Sequence, residues 1–98
     1  MKLLFEWDAD KAKRNLLKHK ISFQEAKTIF QDEMIVTYLD DFHSDHEERF
    51  LSIGMSTNSR ILLVVHTETK AVGETFLIRI ISGRKATVKE RRIYEKGY

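Results

Sequence analysis

The sequence contains no cysteine and no proline, and only four of its 98 residues are glycine. Without cysteine the chain has no disulfide, no thiolate zinc site and no thiol nucleophile, which fits a reducing compartment. It also lacks a Gly-rich phosphate loop, a Gly-x-Ser-x-Gly nucleophile elbow and a zinc-protease helix motif. Nothing in the sequence therefore supports a nucleotide hydrolase or one of these hydrolases, and we predict no cofactor and no metal site.

Long hydrophobic runs are absent as well. The longest, at residues 61–65, has five residues, whereas a membrane-spanning helix needs about 20. Near the N-terminus the apolar stretch at residues 3–5 is too short for the core of a signal peptide. No repeat, Pro-rich linker or low-complexity segment divides the chain. We therefore expect one domain over residues 1–98, in the cytoplasm and without a membrane partner.

What the chain does contain is charge, and the two halves differ in its sign. Residues 1–48 carry 7 Lys/Arg and 11 Asp/Glu, a net charge of −4, and residues 49–98 carry 10 Lys/Arg and 4 Asp/Glu, a net charge of +6. A basic half indicates a surface for a polyanion, and an acidic half a surface for a basic partner. The alternative is that the charges simply mix on the folded surface.

The first half of the chain predicts one strand, two helices and a second strand. Residues 3–7 are apolar and aromatic, as in a strand, and the pattern turns helical after Asp8. The apolar stripe of this helix, which ends near His19, would consist of Ala12, Leu16 and Leu17. Ser22 to Glu25 form a capping box that opens the second helix. A strand is expected at residues 34–39.

The second half predicts a three-strand meander and a final helix. Strands at residues 49–55, 61–67 and 75–82 are joined by short connections, which favours consecutive antiparallel neighbours. A second capping box, from Thr87 to Glu90, opens a helix over residues 88–95. The expected class is α+β: strand, two helices and strand, then the meander and the last helix. We expect an antiparallel sheet with the two early helices on one face.

Three basic residues stand out near the end of the meander. Arg79 lies within the last strand, and Arg84 and Lys85 follow an expected Ser-Gly turn just before the final helix. A cation is unfavourable at the positive end of a helix dipole, which indicates a function such as binding phosphate. The alternative is an arginine that is solvated at the strand end or paired with Glu90.

His66 lies at the end of the central strand of the meander, on the same face as Arg60 by alternation. Imidazole titrates near neutral pH, so His66 is a candidate for moving a proton. The alternative is a hydrogen-bonded structural histidine. Carboxylates and histidines also cluster at residues 43–49, but their spacing matches no metal site. Within that cluster Glu48 either forms a salt bridge with Arg49 or accepts a proton.

The final helix carries a pair suited to nucleic acid. Arg91 and Tyr94 are three residues apart and share a helix face, and both side chains can stack on the bases of single-stranded RNA. The alternative is a plain helix surface, with Tyr94 packed on the sheet.

Taken in order, these residues resemble the BrnT toxin family over nearly the whole chain. The residues that carry the resemblance are Phe5, Glu6, Trp7, Asp8, Lys11, Asn15, Lys18, His19, Ser22, Phe23, Glu25, Ala26, Phe30, His43, Ser44, Glu48, Arg49, Gly54, His66, Thr67, Arg79, Ile80, Ile81, Ser82, Arg84, Lys85, Ala86, Thr87, Glu90, Arg91 and Tyr94. Two features depart from the family: the loop at residues 68–75 is longer, and Gly83 stands where alanine is expected.

The resemblance implies a RelE-like fold and a ribonuclease that stops translation. It also implies a BrnA-type antitoxin partner with a ribbon-helix-helix domain, through which alone operator DNA would be contacted. The expected cleavage uses no metal: the RNA 2′-hydroxyl attacks the adjacent phosphate, and Arg79 and Arg84 stabilise the phosphorane charge. His66 or Glu48 would exchange the protons. The predicted RNA-binding residues are Arg60, Lys85, Arg91 and Tyr94. The alternative is a non-catalytic module that binds nucleic acid or protein.

Overall fold

The computed structural model describes residues 2–41 and 47–97. In these two ranges the chain forms five strands, three α-helices and one short 3₁₀ helix. In chain order the elements are β1 (Lys2–Glu6), α1 (Ala9–His19), α2 (Phe23–Lys27), the 3₁₀ helix (Thr28–Gln31), β2 (Val36–Leu39), β3 (Phe50–Met55), β4 (Ile61–Lys70), β5 (Thr75–Lys85) and α3 (Val88–Lys96). None of the helices in the described ranges has the length and apolar character needed to cross a membrane. The predicted α+β class is confirmed.

The five strands form one sheet in the order β1-β5-β4-β3-β2. Strands β2 to β5 are antiparallel neighbours, which confirms the predicted meander. The expectation of a wholly antiparallel sheet is wrong at one edge, because β1 pairs with β5 in parallel. A tight hairpin forces antiparallel pairing, but β1 is followed by two helices, so no turn sets its direction.

A bulge in β5 changes which residues face each side of the sheet. Val65 of β4 pairs with Ser82, but the next residue, His66, pairs with Ile80, so Ile81 is the extra residue. Bulges of this kind bend a strand and redirect its side chains. Beyond the bulge, Arg84 pairs with Leu63 on the sheet face that points away from α1 and α2.

The hydrophobic core lies between the sheet and the first two helices. Its fully or nearly fully buried members are Ile21, Phe23, Ala26, Ile29, Leu62, Val64, Ile78 and Ile80. Each buried aliphatic or aromatic side chain of this size stabilises the fold by about 1.5–3 kcal/mol. Ile21 lies in the loop before α2, and the other core residues come from α2, the 3₁₀ helix, β4 and β5, so this contact sets the position of the sheet relative to the helices.

The predicted apolar stripe of α1 is wrong in part. Leu16 and Leu17 are 48% and 74% exposed, and the helix instead turns Ala12 and Asn15 toward the protein. A polar residue is buried here because β1 covers β5 only as far as Arg79. The next part of the β5 edge has backbone groups that need hydrogen-bond partners.

Asn15 supplies these partners. Its Nδ2 donates to the carbonyl oxygens of Gly83, at 2.8 Å, and of Ile21, at 2.9 Å, while its Oδ1 accepts from the amide of Gly83 at 3.2 Å. The side-chain amide thus pairs with Gly83 as another strand would. It joins α1, the start of the second helical segment and the edge of β5 at one buried point.

The predicted Ser-Gly turn before Arg84 is also wrong, because β5 continues to Lys85. Gly83 lies within the strand, where an added Cβ would be 3.2 Å from the Cβ of Ala26. Glycine at this position therefore lets α2 pack closely on the sheet. The strand, and not a turn, sets the position of Arg84.

The two predicted capping boxes have different outcomes. At α3 the box is complete, with Thr87 and Glu90 each bonding the other's backbone amide. At α2, Ser22 accepts from the amide of Glu25 at 3.0 Å, but the Glu25 carboxylate bonds Arg60 and Ser56 instead. A distant arginine is the stronger partner here because its bond to a carboxylate is charge-assisted.

We predict that Asn15→Ala destabilises the protein by about 2–4 kcal/mol, because buried backbone groups of Gly83 and Ile21 lose their partners. Asn15→Asp should be at least as harmful, because a carboxylate cannot donate to the two carbonyl oxygens. Urea denaturation measures both. Leu17→Ala, an exposed change on the same helix, is the control and should alter stability by less than about 0.5 kcal/mol. Equal stabilities of Asn15→Ala and Leu17→Ala would contradict the role given to Asn15.

Candidate functional site

An open groove lies on the sheet face away from α1 and α2, with α3 at its side. We call it the sheet groove. Its lining residues, around a volume of about 380 Å³, are Asp40, Arg49, Leu51, Leu63, Val65, Ile81, Ser82, Arg84 and Glu90. The leucine and valine side chains provide an apolar floor. Two arginines and two carboxylates provide the charged groups, so the groove can bind an anion and hold a proton acceptor.

Arg84 is held in the groove by Glu90. Its Nη1 and Nη2 donate to the two carboxylate oxygens of Glu90 at 2.8 and 2.9 Å, and Glu90 also accepts from the amide of Thr87 at 2.8 Å. Burial favours the neutral acid, but the hydrogen bonds from Arg84 and Thr87 outweigh it and lower the pKa of Glu90. The alternative of an Arg84–Glu90 pair is thus what the structure has. The arginine side chain is still 37% exposed and accessible to a ligand.

Arg79 is not among the residues that line the sheet groove. It donates to both carboxylate oxygens of Glu47, at 2.6 and 2.8 Å, and both side chains are 43% exposed. Arg84 lies five positions further along β5, which corresponds to roughly 15 Å along a strand. The structure therefore brings Arg49 to the groove beside Arg84 and places Arg79 further along the sheet.

His66 is completely buried on the opposite, helix-covered face of the sheet. Its ring is 4.9 Å from Phe30 in an edge-on contact and stacks on Phe50 at 5.9 Å. Its Nε2 is 2.7 Å from the hydroxyl of Ser52, which in turn is 2.7 Å from that of Thr37. Burial lowers the pKa of His66 to about 4. The structure does not bring His66 to the groove, and its surroundings fit the alternative of a structural histidine.

Arg60 bonds Glu25 of α2, on the same side of the sheet as His66. Its Nε is 2.9 Å from one carboxylate oxygen, its Nη2 contacts the other, and Ser56 donates to the carboxylate at 2.7 Å. The hydrogen bond from Arg60 outweighs the effect of burial and lowers the pKa of Glu25. Arg60 thus ties the β3–β4 hairpin to α2, on the side of the sheet away from the groove.

Tyr94 is anchored in the same way. Its hydroxyl donates to the carboxylate of Asp32 at 2.6 Å, and this bond, together with burial, raises the pKa of Tyr94 to about 12. The contact ties α3 to the turn before β2, where the same carboxylate also accepts backbone amides of Met34 and Met55. Arg91, on the same helix, is exposed.

The remaining predicted site residues, Lys85 and Glu48, do not line the groove. Lys85 is exposed at the end of β5, and Glu48 is exposed beside Arg49. His43 and His46 lie outside the described residues. Within the described ranges, no group of three or more histidine or carboxylate side chains is placed to hold a metal ion.

Sequence reasoning missed Asp40 and Arg49 as lining residues of the groove and Tyr38 as a residue near it, and it named Glu90 only as the alternative partner of Arg84. Burial and the nearby Glu90 carboxylate raise the pKa of Tyr38, which lies opposite Leu51 in the sheet. The alternation of β2 and β3 could have placed Tyr38 on the face of Leu51. The capping box and the pairing with Arg84 could be proposed for Glu90 from local spacing, but its place in the groove depends on how α3 turns back over the sheet.

Two comparisons relate this chain to known proteins. A sequence model of the family described as the ribonuclease toxin BrnT of type II toxin–antitoxin systems matches residues 7–90. The fold is similar to the crystal structure of the Brucella abortus ribonuclease toxin BrnT, with a TM-score of 0.55 and 22% sequence identity. That similarity covers 89% of this chain and 99% of the Brucella chain. No curated protein matches the sequence. The sheet groove lies entirely inside the matched range, whereas Arg91 and Tyr94 follow it.

The buried His66 predicts a loss of stability in acid. Its pKa is about 4 in the folded protein against an ordinary 6.5, so the unfolded chain binds more protons between these values. The free energy of unfolding therefore has its full value above pH 6.5 and is lower by roughly 3 kcal/mol at pH 4. Urea denaturation across this range, with His66→Gln as comparison, measures the effect. A wild-type pH slope in His66→Gln would contradict the assignment.

Glu68 has the opposite effect to His66 on stability in acid. Its carboxylate is 3.9 Å from Nδ1 of His66, and burial raises its pKa. Its protonation therefore favours the folded protein as the pH falls, in opposition to His66. Glu68→Gln should make the loss of stability in acid steeper.

Proposed function

Because the chain belongs to the family of BrnT ribonuclease toxins of type II toxin–antitoxin systems, we propose that it cleaves RNA in the sheet groove. The observation that carries this proposal is the placement of Arg84, partly exposed and oriented by Glu90, in a groove that also contains Arg49. Two guanidinium groups over an apolar floor suit a phosphodiester, because Arg binds phosphate through paired donors. Cleavage of RNA would stop translation in the cytoplasm, and we assign the fold to the RelE-like group.

The proposed reaction needs no metal. The 2′-hydroxyl of the RNA gives its proton to a carboxylate and attacks the adjacent phosphorus, and the bond to the 5′-oxygen breaks. The leaving oxygen takes a proton from water, so the products are a cyclic phosphate and a free 5′-hydroxyl. Negative charge grows on the phosphorane oxygens in the transition state. Arg84 stabilises this charge, and Arg49 helps to bind the phosphate.

Glu90 is our choice for the proton acceptor. Its pKa is held low by the hydrogen bonds from Arg84 and Thr87. When Arg84 turns to the phosphate, Glu90 loses a charged partner in a partly buried site, so its pKa rises and it becomes a better base. Glu48, exposed beside Arg49, is the other carboxylate predicted for this role. His66 plays no part in the proposed step, because its ring lies in the core on the other face of the sheet.

The predicted RNA-binding residues divide into two groups. Lys85 and Arg91 are exposed and can bind phosphates next to the scissile one. The polar atoms of Arg60 and Tyr94 are bonded to Glu25 and Asp32, so we assign these two side chains to holding the fold. Arg79, paired with Glu47 at the surface, would bind RNA outside the groove.

The proposed partner is a BrnA-type antitoxin with a ribbon-helix-helix domain. The antitoxin would cover the toxin and contact operator DNA, so that this chain meets DNA only through its partner. The competing function is a module of the same fold that binds nucleic acid or protein without catalysis.

We predict that expression of this chain alone stops bacterial growth, and that co-expression of its antitoxin restores growth. Growth curves and RNA integrity, with the amount of soluble protein verified, measure the effect. Normal growth with intact RNA would favour the non-catalytic module.

We predict that Arg84→Ala lowers single-turnover cleavage of a defined RNA by roughly 100-fold, the scale seen when one charge-stabilising donor is removed. The melting temperature should change little, because a partly exposed ion pair contributes below about 1 kcal/mol. Arg84→Lys should recover only part of the rate, since an ammonium group lacks the planar fork of guanidinium.

Arg92→Ala is the matched control, since it removes an exposed charge of the same kind from α3. Equal losses of cleavage rate for Arg84→Ala and Arg92→Ala would mean that both residues act only through the overall positive charge, and would contradict the role given to Arg84. The comparison of Glu90→Gln with Glu48→Gln decides the proton acceptor: the acceptor's variant should lose most rate at neutral pH, where the wild-type carboxylate is ionised, and the loss should shrink at low pH.

A further inference from the structure

A second, basic cleft lies where α1 crosses the edge of β5, beyond the end of β1. We call it the edge cleft. Its lining residues, around a volume of about 350 Å³, are Lys11, Arg14, Asn15, Lys18, His19, Ile81 and Ser82. Asn15 closes its base through the bonds to Gly83. Four of the seven lining residues are basic types, and none is acidic.

The two lysines and the arginine of the cleft, which are charged at neutral pH, share one face of α1. Lys11, Arg14 and Lys18 are spaced by three and four residues, which places them in a row. The row extends about 10 Å along the helix axis. All three residues are exposed, and within residues 2–41 and 47–97 none of their side chains forms an ion pair.

The helix dipole accounts for only part of this row. A cation in the last turn of a helix is stabilised by the dipole, which would explain Lys18 as a structural residue. Lys11 lies in the first turn, at the positive end, where a cation is disfavoured. Asp8, which accepts the backbone amide of Lys11 at 2.9 Å, and Asp10 offset part of this cost, but neither carboxylate lines the cleft. A row of unpaired cations that includes such a position is suited to an external anion.

The edge cleft continues the sheet groove. Ile81 and Ser82 line both, and they lie at the bulge where β5 carries its extra residue. A chain that leaves the groove across these two residues enters the cleft directly. Arg84, at one end of this path, and Lys18, on α1, therefore contact the same continuous surface from two sides of the β5 edge.

We infer that the edge cleft binds the phosphates of the RNA strand that flank the cleavage point. The inference rests on the proposed function and deepens it: the substrate is an extended single strand that crosses the sheet groove, passes over the β5 edge and continues along α1. The cleft supplies affinity and not chemistry, because cations that contact flanking phosphates act on the ground state and the transition state alike. RNA too short to reach α1 would lose this contribution.

The test uses the double variant Lys11→Ala/Lys18→Ala and, as control, Lys13→Ala/Lys70→Ala. The control removes two exposed charges that line neither groove. Each protein is titrated with non-cleavable, 2′-O-methyl RNA of roughly 12 and roughly 4 nucleotides, the range that one binding surface covers. Cleavage of the corresponding unmodified RNAs is measured in parallel.

We expect the double variant to bind the long RNA roughly 10-fold more weakly. The slope of log affinity against log salt concentration should fall by about 1.4, because each phosphate contact on a single strand contributes about 0.7. With the long RNA its KM should rise while kcat stays near that of the wild type, and the short RNA should show no change. The control should resemble the wild type throughout.

Three results would overturn the inference: equal behaviour of the double variant and its control, equal losses for the long and the short RNA, or unchanged RNA binding with loss of binding to an acidic protein partner. Failure of the proposed ribonuclease function would give a different result from failure of this inference. In that case the wild type does not cleave either RNA, while the binding of non-cleavable RNA still decides whether the cleft holds phosphates.

Discussion

The contact between Asn15 and the edge of β5 is the constraint on which the functional surface depends. β1 pairs with β5 only as far as Arg79, and the side-chain amide of Asn15 then bonds both backbone groups of Gly83. β4 pairs with β5 as far as Lys85, and Asn15 satisfies the other edge of β5 at Gly83, next to the point where Arg84 enters the sheet groove. The Asn15 contact also sets the rotation of α1, so that one basic face of the helix follows the same edge. Two grooves are therefore positioned by one buried amide.

Buried or partly buried carboxylates join the elements around that edge. Glu25 holds the β3–β4 hairpin to α2 through Arg60, and Glu90 fixes Arg84 against α3. Both acids have lowered pKa values: the hydrogen bond from Arg60 outweighs burial at Glu25, and the hydrogen bonds from Arg84 and Thr87 together outweigh burial at Glu90. The two pairs differ in one respect that bears on function. Arg60 lies on the helix-covered side of the sheet, whereas Arg84 opens to the groove.

Most of the fold was predictable, because hydrophobic periodicity and helix caps are local signals. The meander and the capping box of α3 follow directly from them. The errors occur where a distant group changed the outcome. The apolar stripe of α1 fails at Leu16 and Leu17 because the β5 edge requires a polar partner. The Ser-Gly turn fails because Gly83 continues the strand and makes room for Ala26. Sequence reasoning found Arg84 but linked it to His66, which the strand alternation places on the other face.

The sequence by itself determined the α+β class, the family and the basic character of the second half, because these depend on residue types and short spacings. Only the tertiary structure decided which charged groups meet. Arg49 and Glu90 are 41 residues apart in the chain, yet they line one groove with Arg84. Whether a charge is paired with a buried carboxylate, left at the surface or turned toward a groove depends on desolvation and distance. Both arise only when the strands and helices have packed together.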